Sequence, residues 1–469
     1  MKRTLALASL SLFVVSGCAT LAPKYERPAA PIPGAWPSGE AYVPAAAGTG
    51  GVSAADLPWS DFFANASLRK VISLSLSNNR DLKAAALAVA RSRALYGISR
   101  ADLFPHVDAA GGSIAARTPG TLTNNGQPVT SREYDVALAV TGYEIDLFGR
   151  IRSLKDRALA EYLATEQARR SVQIGLVSEV AARWFALAAD RESLGVARET
   201  LAVQEKSYEL TKRRFEGGVS SELDLRQAQT SVDAARVDIA RFTALVAQDR
   251  NALELLAGAP VPGELLPAEL GEVTEMKELS PGLPSEALLR RPDILEAEEA
   301  LKGANANIGA ARAAFFPRIA LTTSVGLASD ELGDLFRGSA RTWSFAPRIS
   351  VPIFDAGANR ANLKVAEADR DIALARYEKA IQAAFREVAD ALAQRGTLGD
   401  QLAAQQSLVD AAAVTRKLSD ARYEKGVDSY LAVLDAERTL YAARQNLIAF
   451  RLALLENRVT LYRALGGGG

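Results

Sequence analysis

One cysteine, one histidine and two methionines are all that 469 residues hold of the side chains that favour soft metals. Cys18, being alone, cannot close an internal disulfide. Zinc clusters of the His/Cys type are excluded, as is any Cys-His or Ser-His-Asp machinery needing more than the single imidazole of His106. No GxxxxGK(S/T) loop occurs, nor a GxGxxG following a strand, so nucleotide phosphates find no cradle. A hydrolase of carboxylates alone would need a pair such as Glu298-Glu299, which falls on a helical, charge-mixed stretch that reads as solvated surface. Charge of one sign is missing too: 55 basic residues balance 55 acidic ones, leaving no field for nucleic acid. Beyond the first residues, no run approaches the 18 or more apolar residues of a spanning helix. A crossing of a bilayer would therefore have to be a closed β-barrel, the other structure that satisfies every backbone group. The expectation is a chain without catalysis, cofactor, metal or nucleic-acid partner.

What is present begins with a leader. Lys2 and Arg3 precede an apolar stretch from Leu5 to Val15, followed by the small residues Ser16 and Gly17. That is the layout of a cleavable export signal, too short for a spanning helix. Val15-Ser16-Gly17-Cys18 resembles the lipobox of bacterial lipoproteins, which implies a diacylglycerol thioether-linked to Cys18. By resemblance to enterobacterial sorting rules, Ala19 after the cysteine favours the outer membrane.

The remainder is one unit written twice. Residues 214–236 (RFEGGVSSELDLRQAQTSVDAAR) and 422–444 (RYEKGVDSYLAVLDAERTLYAAR) align without a gap at an offset of 208, with ten of 23 positions identical. Leu103-Phe104-Pro105 and Phe315-Phe316-Pro317 repeat at an offset of 212. Within each copy, apolar residues recur every seventh position. Val180, Leu187, Leu194, Leu201, Tyr208 and Phe215 ascend; Leu225, Val232, Ile239, Val246 and Leu253 return. The second copy gives Val388, Arg395, Leu402, Val409, Arg416 and Tyr423, then Val433, Leu440, Leu447, Leu454 and Leu461, the same frame with two arginine interruptions. A sustained heptad means supercoiled helices packed by knobs into holes. Gly217-Gly218 and Gly426 suit a helix C-cap and tight reversal, so each copy predicts an antiparallel coiled-coil hairpin with its tip near 216–222 or 424–430. No proline interrupts 150–217 or 357–426, and helices of that size reach roughly 100 Å.

Ahead of each long helix the period changes from helical to two. Tyr134, Val136, Leu138 and Val140 alternate with Asp135, Ala137, Ala139 and Thr141; Ile319, Leu321, Thr323, Val325 and Leu327 alternate with smaller residues. Phe345, Ile349, Val351 and Ile353 make a third set, interrupted by Pro347, and 107–116 a fourth and weakest. These predict strands with one apolar and one small or polar face, joined by turn-rich stretches 117–131 and 328–341. Four strands cannot close a membrane barrel, whose smallest examples need about eight. Several chains must contribute, unless the strands form a small soluble sheet.

Together, Val15-Ser-Gly-Cys18, Trp59-Ser-Asp-Phe-Phe63, Tyr143-Glu-Ile-Asp-Leu-Phe-Gly-Arg150, Arg291-Pro-Asp-Ile294, the run 423–436 and Leu461-Tyr-Arg-Ala-Leu-Gly466 resemble the TolC-like outer membrane factors. The likeness is to their lipoprotein branch, the OprM type that serves tripartite efflux pumps. The resemblance implies a mainly α chain with a membrane β part. It implies a homotrimer whose twelve-stranded β-barrel, four strands per chain, continues as a trimeric α-barrel of coiled-coil helices. It also implies a periplasmic adaptor (membrane fusion protein) and an inner-membrane RND-type pump as partners. The organisation expected is a signal peptide at 1–17 and a lipid-anchored linker at 18–62. A first repeat at 63–258 holds a strand pair in 106–146 and a hairpin in 150–258. An inter-repeat linker at 259–280 leads to a second repeat at 281–466, with strands in 317–354 and a hairpin in 357–465; 467–469 is a tail.

By the same resemblance, Leu431 and Asp435, four apart on one helical face, match apolar and acidic rings that narrow a closed pore. Some members carry a second aspartate where this chain has Ala432, so the acidic ring is halved here. Asp224, Tyr423 and Asp428 match positions that latch neighbouring coiled coils, although Asp428 stands where an arginine is usual. Two of them also read as local helix chemistry: Asp224 as the far end of a Ser-x-x-Asp capping arrangement with Ser221, Asp428 as an N-cap. Gly218, Val219, Gly426 and Val427 match adaptor contacts. The expected function is a passive efflux exit duct of the outer membrane, reaching into the periplasm and opened by docking. A lipid-anchored coiled-coil scaffold without a pore and a type I protein-secretion exit channel are the alternatives.

Overall fold

The computed structural model describes residues 20–42, 52–272, 276–281 and 284–467; the leader and Cys18 lie outside them. Its main elements are α1 (Ala66–Asn78), α2 (Arg80–Ala101), β1 (Asp108–Thr118), β2 (Val129–Glu144), α3 (Arg150–Glu216) and α4 (Glu222–Ala257). After them come α5 (Pro292–Ala313), β3 (Arg318–Ser329), β4 (Arg341–Ser350), α6 (Ala358–Glu424) and α7 (Tyr430–Ala464). The helices α3 and α6 have 67 residues each and start 208 residues apart, so the duplication extends through them. Two compact units result. One holds 88–166, 296–377 and the described residues up to 29; the other holds 30–87, 167–295 and 378–467.

The first unit is built round an antiparallel sheet in the order β1-β2-β3-β4. Residues directly opposite on neighbouring strands share a face; the register sorts most of β2, β3 and β4, although Ile114 of β1, opposite Glu133, and Val129 fall on the polar side. Leu138 lies opposite Val325, which lies opposite Trp343; Val136 lies opposite Leu327, and Ile319 opposite Ile349. On the other face Ala139, Ser324 and Ser344 form one row and Ala137, Gly326 and Thr342 the next. A Cβ at Gly326 would sit 2.3 Å from the Val136 carbonyl oxygen, so glycine is required there. The alternation read from sequence thus becomes one apolar and one small, polar face.

Two strand expectations change. Val351 and Ile353 lie beyond β4, because Pro352 has no N–H to donate and pairing ends at Ser350. Pro347 stays inside β4, opposite Leu321, as a terminal strand of the sheet allows. In β2 the register shifts between Val140 and Tyr143, where Gly142 takes φ +67° and donates its N–H to Thr322 Oγ1 at 3.2 Å.

The N-terminal stretch of this unit runs against α5. Asn305 donates to the Pro23 carbonyl (2.7 Å), and Gly309 leaves room for Ala22. Glu298, expected on a solvated surface, is instead 2% exposed. Arg27 donates to both its oxygens (3.0 and 2.6 Å), Tyr25 adds a hydroxyl at 3.1 Å, and Lys302 stands at 3.5 Å. Burial pushes the Glu298 carboxyl up, but the hydrogen bonds and charges of Arg27, Lys302 and Tyr25 outweigh it and hold the pKa below the usual range.

In the second unit a subset of the heptad positions enters the core. Val180, Leu187, Val388 and Leu253 are fully buried, and Val433 and Leu461 nearly so. Both arginine interruptions have uses: Arg395 donates to the Leu279 carbonyl (3.2 Å), and Arg416 pairs with Asp420 (3.0 Å) and Glu437 (3.6 Å). The helix α3 does contain a window apolar enough by composition to span a membrane, which the sequence reading had not anticipated. Of that window 61% is buried within the protein, as befits a core helix. Three motifs far apart in sequence meet here. Phe62 stacks on Tyr462 (4.1 Å between ring centres), and Arg291 pairs with Asp293 and Glu387 while donating to the Ala464 carbonyl at 2.6 Å.

Arg27→Ala would leave the buried Glu298 carboxylate with only Tyr25 and Lys302. Because Arg27 is itself half exposed, the expected cost is about 2 kcal/mol. Thermal unfolding should show it, together with faster proteolytic cutting within 20–30. An unchanged midpoint and cutting rate would mean the pair does not hold this segment.

Candidate functional site

The candidate site residues gather at the two helix reversals of the second unit. Each reversal is closed in the same way. Past α3, Gly218 adopts φ +73°, its N–H bonds the Phe215 carbonyl (2.9 Å), and Val219 N–H bonds that of Arg214 (2.8 Å). Past α6, Gly426 adopts φ +71°, with Gly426 N–H to Tyr423 (3.0 Å) and Val427 N–H to Arg422 (2.9 Å). This is the Schellman arrangement in both copies; it fixes a left-handed residue where a side chain would be strained. Beyond each glycine a valine faces solvent, Val219 and Val427, and the exposed Leu223 and Leu431 follow.

The two reversals then diverge. In the first, Ser221 and Asp224 form a full capping box: Asp224 N–H donates to Ser221 Oγ (3.1 Å) and Ser221 N–H to Asp224 Oδ2 (3.1 Å). Partial burial raises the Asp224 carboxyl, but the Ser221 and Ser220 hydrogen bonds prevail and hold it below the usual carboxylate range. In the second, the N-cap of α7 is Ser429, which makes no side-chain cap bond, so Asp428 is not the N-cap. Asp428 is instead gripped by the guanidinium of Arg422, through Nε and, at 3.0 Å, Nη2, which holds its pKa down. Arg214, the counterpart of Arg422 in the first copy, does something else. Its guanidinium lies 4.7 Å above the centre of the Tyr423 ring.

Tyr423 is thus drawn to the other hairpin, while Asp224 and Asp428 each serve their own. Its ring packs on Tyr430 (5.4 Å between centres) beside a buried cluster of Ala228, Tyr430, Val433 and Leu434, with Tyr208 also packed against that cluster. The hydroxyls of Tyr430 and Ser207 lie 3.0 Å apart. Leu431 and Asp435 point away from this cluster; Leu431 is 56% exposed and Asp435 lies open to solvent. Two residues beyond Asp435, Glu437 is buried against Arg416. Sequence reading missed Arg214, Ser207, Arg416 and Glu437. The arginine at a heptad position and the arginine repeated at offset 208 were the available signals. Among the described residues no group of three or more His, Cys, Asp or Glu gathers as a metal site.

The family profile described as outer membrane efflux protein matches residues 71–259 and again 283–467. The chain belongs to the outer membrane efflux protein family. Its similarity to the toluene efflux pump outer membrane protein TtgC of Pseudomonas putida is 47% identity, covering 100% of this chain and 96% of that protein. A membrane protein of Pseudomonas aeruginosa has a similar solved structure, with TM-score 0.90, 41% identity, and 96% and 98% of the two chains covered. The open state of the Neisseria gonorrhoeae outer membrane channel MtrE gives a TM-score of 0.86 at 37% identity, covering 96% and 98%. This outer membrane efflux protein therefore has the fold of an outer membrane channel and a transport role, and its two halves match the same family profile.

Burial raises the Glu437 carboxyl pKa, with Arg416 opposing and Asp420 adding to the rise. A carboxyl with a higher pKa folded than unfolded favours the folded form most below its unfolded value of about 4.3. That gain is lost as pH climbs through the folded value. Hydrogen exchange of 430–440, corrected for intrinsic rates, should therefore show protection falling as pH rises above the ordinary glutamate range. Glu437→Gln should flatten the trend; an equal trend in the variant would absolve this carboxyl.

Proposed function

We propose that this protein is the passive exit duct of a tripartite efflux system, acylated at Cys18 and assembled as a homotrimer. Three four-stranded sheets would close a twelve-stranded barrel in the outer membrane, and the helices of both repeats, 63–258 and 281–466, would continue it as an α-barrel into the periplasm. The observation that carries this reading is the sheet. It has one apolar face, and among the described residues its end strands β1 and β4 each have a partner on one side only. Joining those edges between chains satisfies the backbone in hydrocarbon.

In this reading the gate is the pair of coiled-coil tips. Leu431 and Asp435, exposed on the face turned from the packed cluster, form the constriction. Three Asp435 carboxylates round one axis repel one another and draw cations, so closure takes its stability from the Tyr423–Tyr430 packing beside them. Tyr423 acts as the latch between hairpins, and Asp224 and Asp428 keep the reversals in shape for it. Gly218, Val219, Gly426 and Val427 present the apolar surface to which a periplasmic adaptor docks, the inner-membrane RND-type pump supplying the energy. Opening is a shift between two packings of the tips, biased by docking. No group on the chain is assigned a catalytic role.

Planar-bilayer recording tests the gate. Asp435→Ala, alone or with Tyr423→Phe, should raise single-channel conductance severalfold and weaken cation preference. Unchanged conductance and selectivity would remove Asp435 from the constriction. A purified acylated protein that forms no ion-conducting, detergent-resistant trimer would favour the pore-less scaffold instead.

A further inference from the structure

The sheet register sorts charge as sharply as it sorts apolarity. Leu327 lies opposite both Val136 and Arg341, which puts Arg341 on the apolar face. Four residues before Val136 on the same face is Arg132, opposite Ala115, and two residues beyond Ala115 is Arg117, opposite Thr130. These three arginines are the only charged residues on the apolar face of the four strands. The opposite face carries Asp108, Glu133, Asp135 and Glu144 with Arg318 and Arg348. Arg318 is ion-paired to Glu144 there. By contrast Arg117, Arg132 and Arg341 are exposed, and none takes part in an ion pair among the described residues.

Their position along the strands is equally uneven. Arg117 and Arg132 flank the 119–128 connection, and Arg341 follows the 330–340 connection. All three sit at the end of the sheet away from that at which β2 leads to α3 and β4 to α6. Beside them on the same face stand Tyr134, two residues from Arg132, and Trp343, two residues from Arg341. Aromatic rings next to cations at one margin of an apolar band mark the height where hydrocarbon gives way to headgroups. The penalty for a lipid-facing arginine falls away at that height. Cationic forks without a carboxylate partner then call for an anion, and the guanidinium matches phosphate oxygens two at a time.

We propose that Arg117, Arg132 and Arg341 form an outward belt that binds the phosphate groups of the lipid in the outer leaflet. The inference rests on the duct reading, which turns the apolar face to lipid and the two connections outward. The chemistry named is a phosphorylated glycolipid headgroup, held from the side of the barrel. It is separate from the tips and from anything passing through the lumen, which the opposite, acidic face would line.

The test uses the assembled, acylated channel, delipidated in detergent and offered phosphorylated lipid A or the same lipid after enzymatic removal of its phosphates. Native mass spectrometry reads bound lipid, and planar-bilayer conductance is recorded from the same preparations. Wild-type protein should prefer the phosphorylated form at least about ten-fold, with the preference shrinking as salt rises. Arg117→Gln, Arg132→Gln and Arg341→Gln should each lower that affinity roughly five-fold. Arg348→Gln, on the opposite face, should leave it unchanged. Equal binding of both lipids by the wild type needs no variant to fold and would overturn the belt. So would an undiminished preference in the triple variant, or displacement of the lipid by millimolar inorganic phosphate alone. A channel that conducts but shows no preference loses the belt and keeps the duct; a protein that neither inserts nor conducts loses both.

Discussion

Every backbone N–H and C=O in hydrocarbon must find a partner, and a sheet of four strands leaves two rows without one. That single requirement governs the chain. The apolar face draws the sheet into the membrane, the open edges forbid it to stay there alone, and assembly follows. The helices inherit the same logic at lower stakes. Much of their heptad face is buried within the second unit, yet Phe215, Leu431, Leu223 and the two valines stay exposed at the tips.

Much of this was legible because period is a direct imprint of geometry. A seven-residue beat gave the coiled coils, a two-residue beat gave the strands and their faces, and the offset of 208 tied α3 to α6. The left-handed glycines of the two reversals, Gly218 and Gly426, were legible for the same reason, whereas Gly142 at the β2 irregularity was not. What stayed hidden depended on partners distant in sequence. Glu298 looks like any surface glutamate until Arg27 is known to reach it from 271 residues away. Arg395 and Arg416 looked like lapses in a pattern; a carbonyl and two carboxylates turn them into structural members. Val351 and Ile353 kept the strand rhythm, but Pro352 removed the hydrogen bond that rhythm needs.

Duplication explains why the two tips share a frame and differ in use. The backbone reversal is common to both, since it depends on one glycine and two amide bonds. Side chains were free to diverge around it. One arginine turned to the ring of Tyr423 across the hairpins, the other to Asp428 within its own. A capping box stiffens the first tip, whereas the second relies on an exposed ion pair, a weaker device that salt screens. The second tip, which carries Leu431 and Asp435, is therefore the softer of the two.

The clasp between Arg27 and Glu298 has a bearing on the order of events after export. The amino end emerges first, but its binding groove on α5 does not exist until nearly three hundred further residues have been delivered. The strands β2 and β3, whose pairing begins at Tyr134 and Ser329, face a similar wait. Closing loops of that size is slow and late in any folding sequence. The hairpin of β1 and β2 can close at once, but the strap at Arg27 and the inner edge of β2 stay unfinished until the second half of the chain arrives.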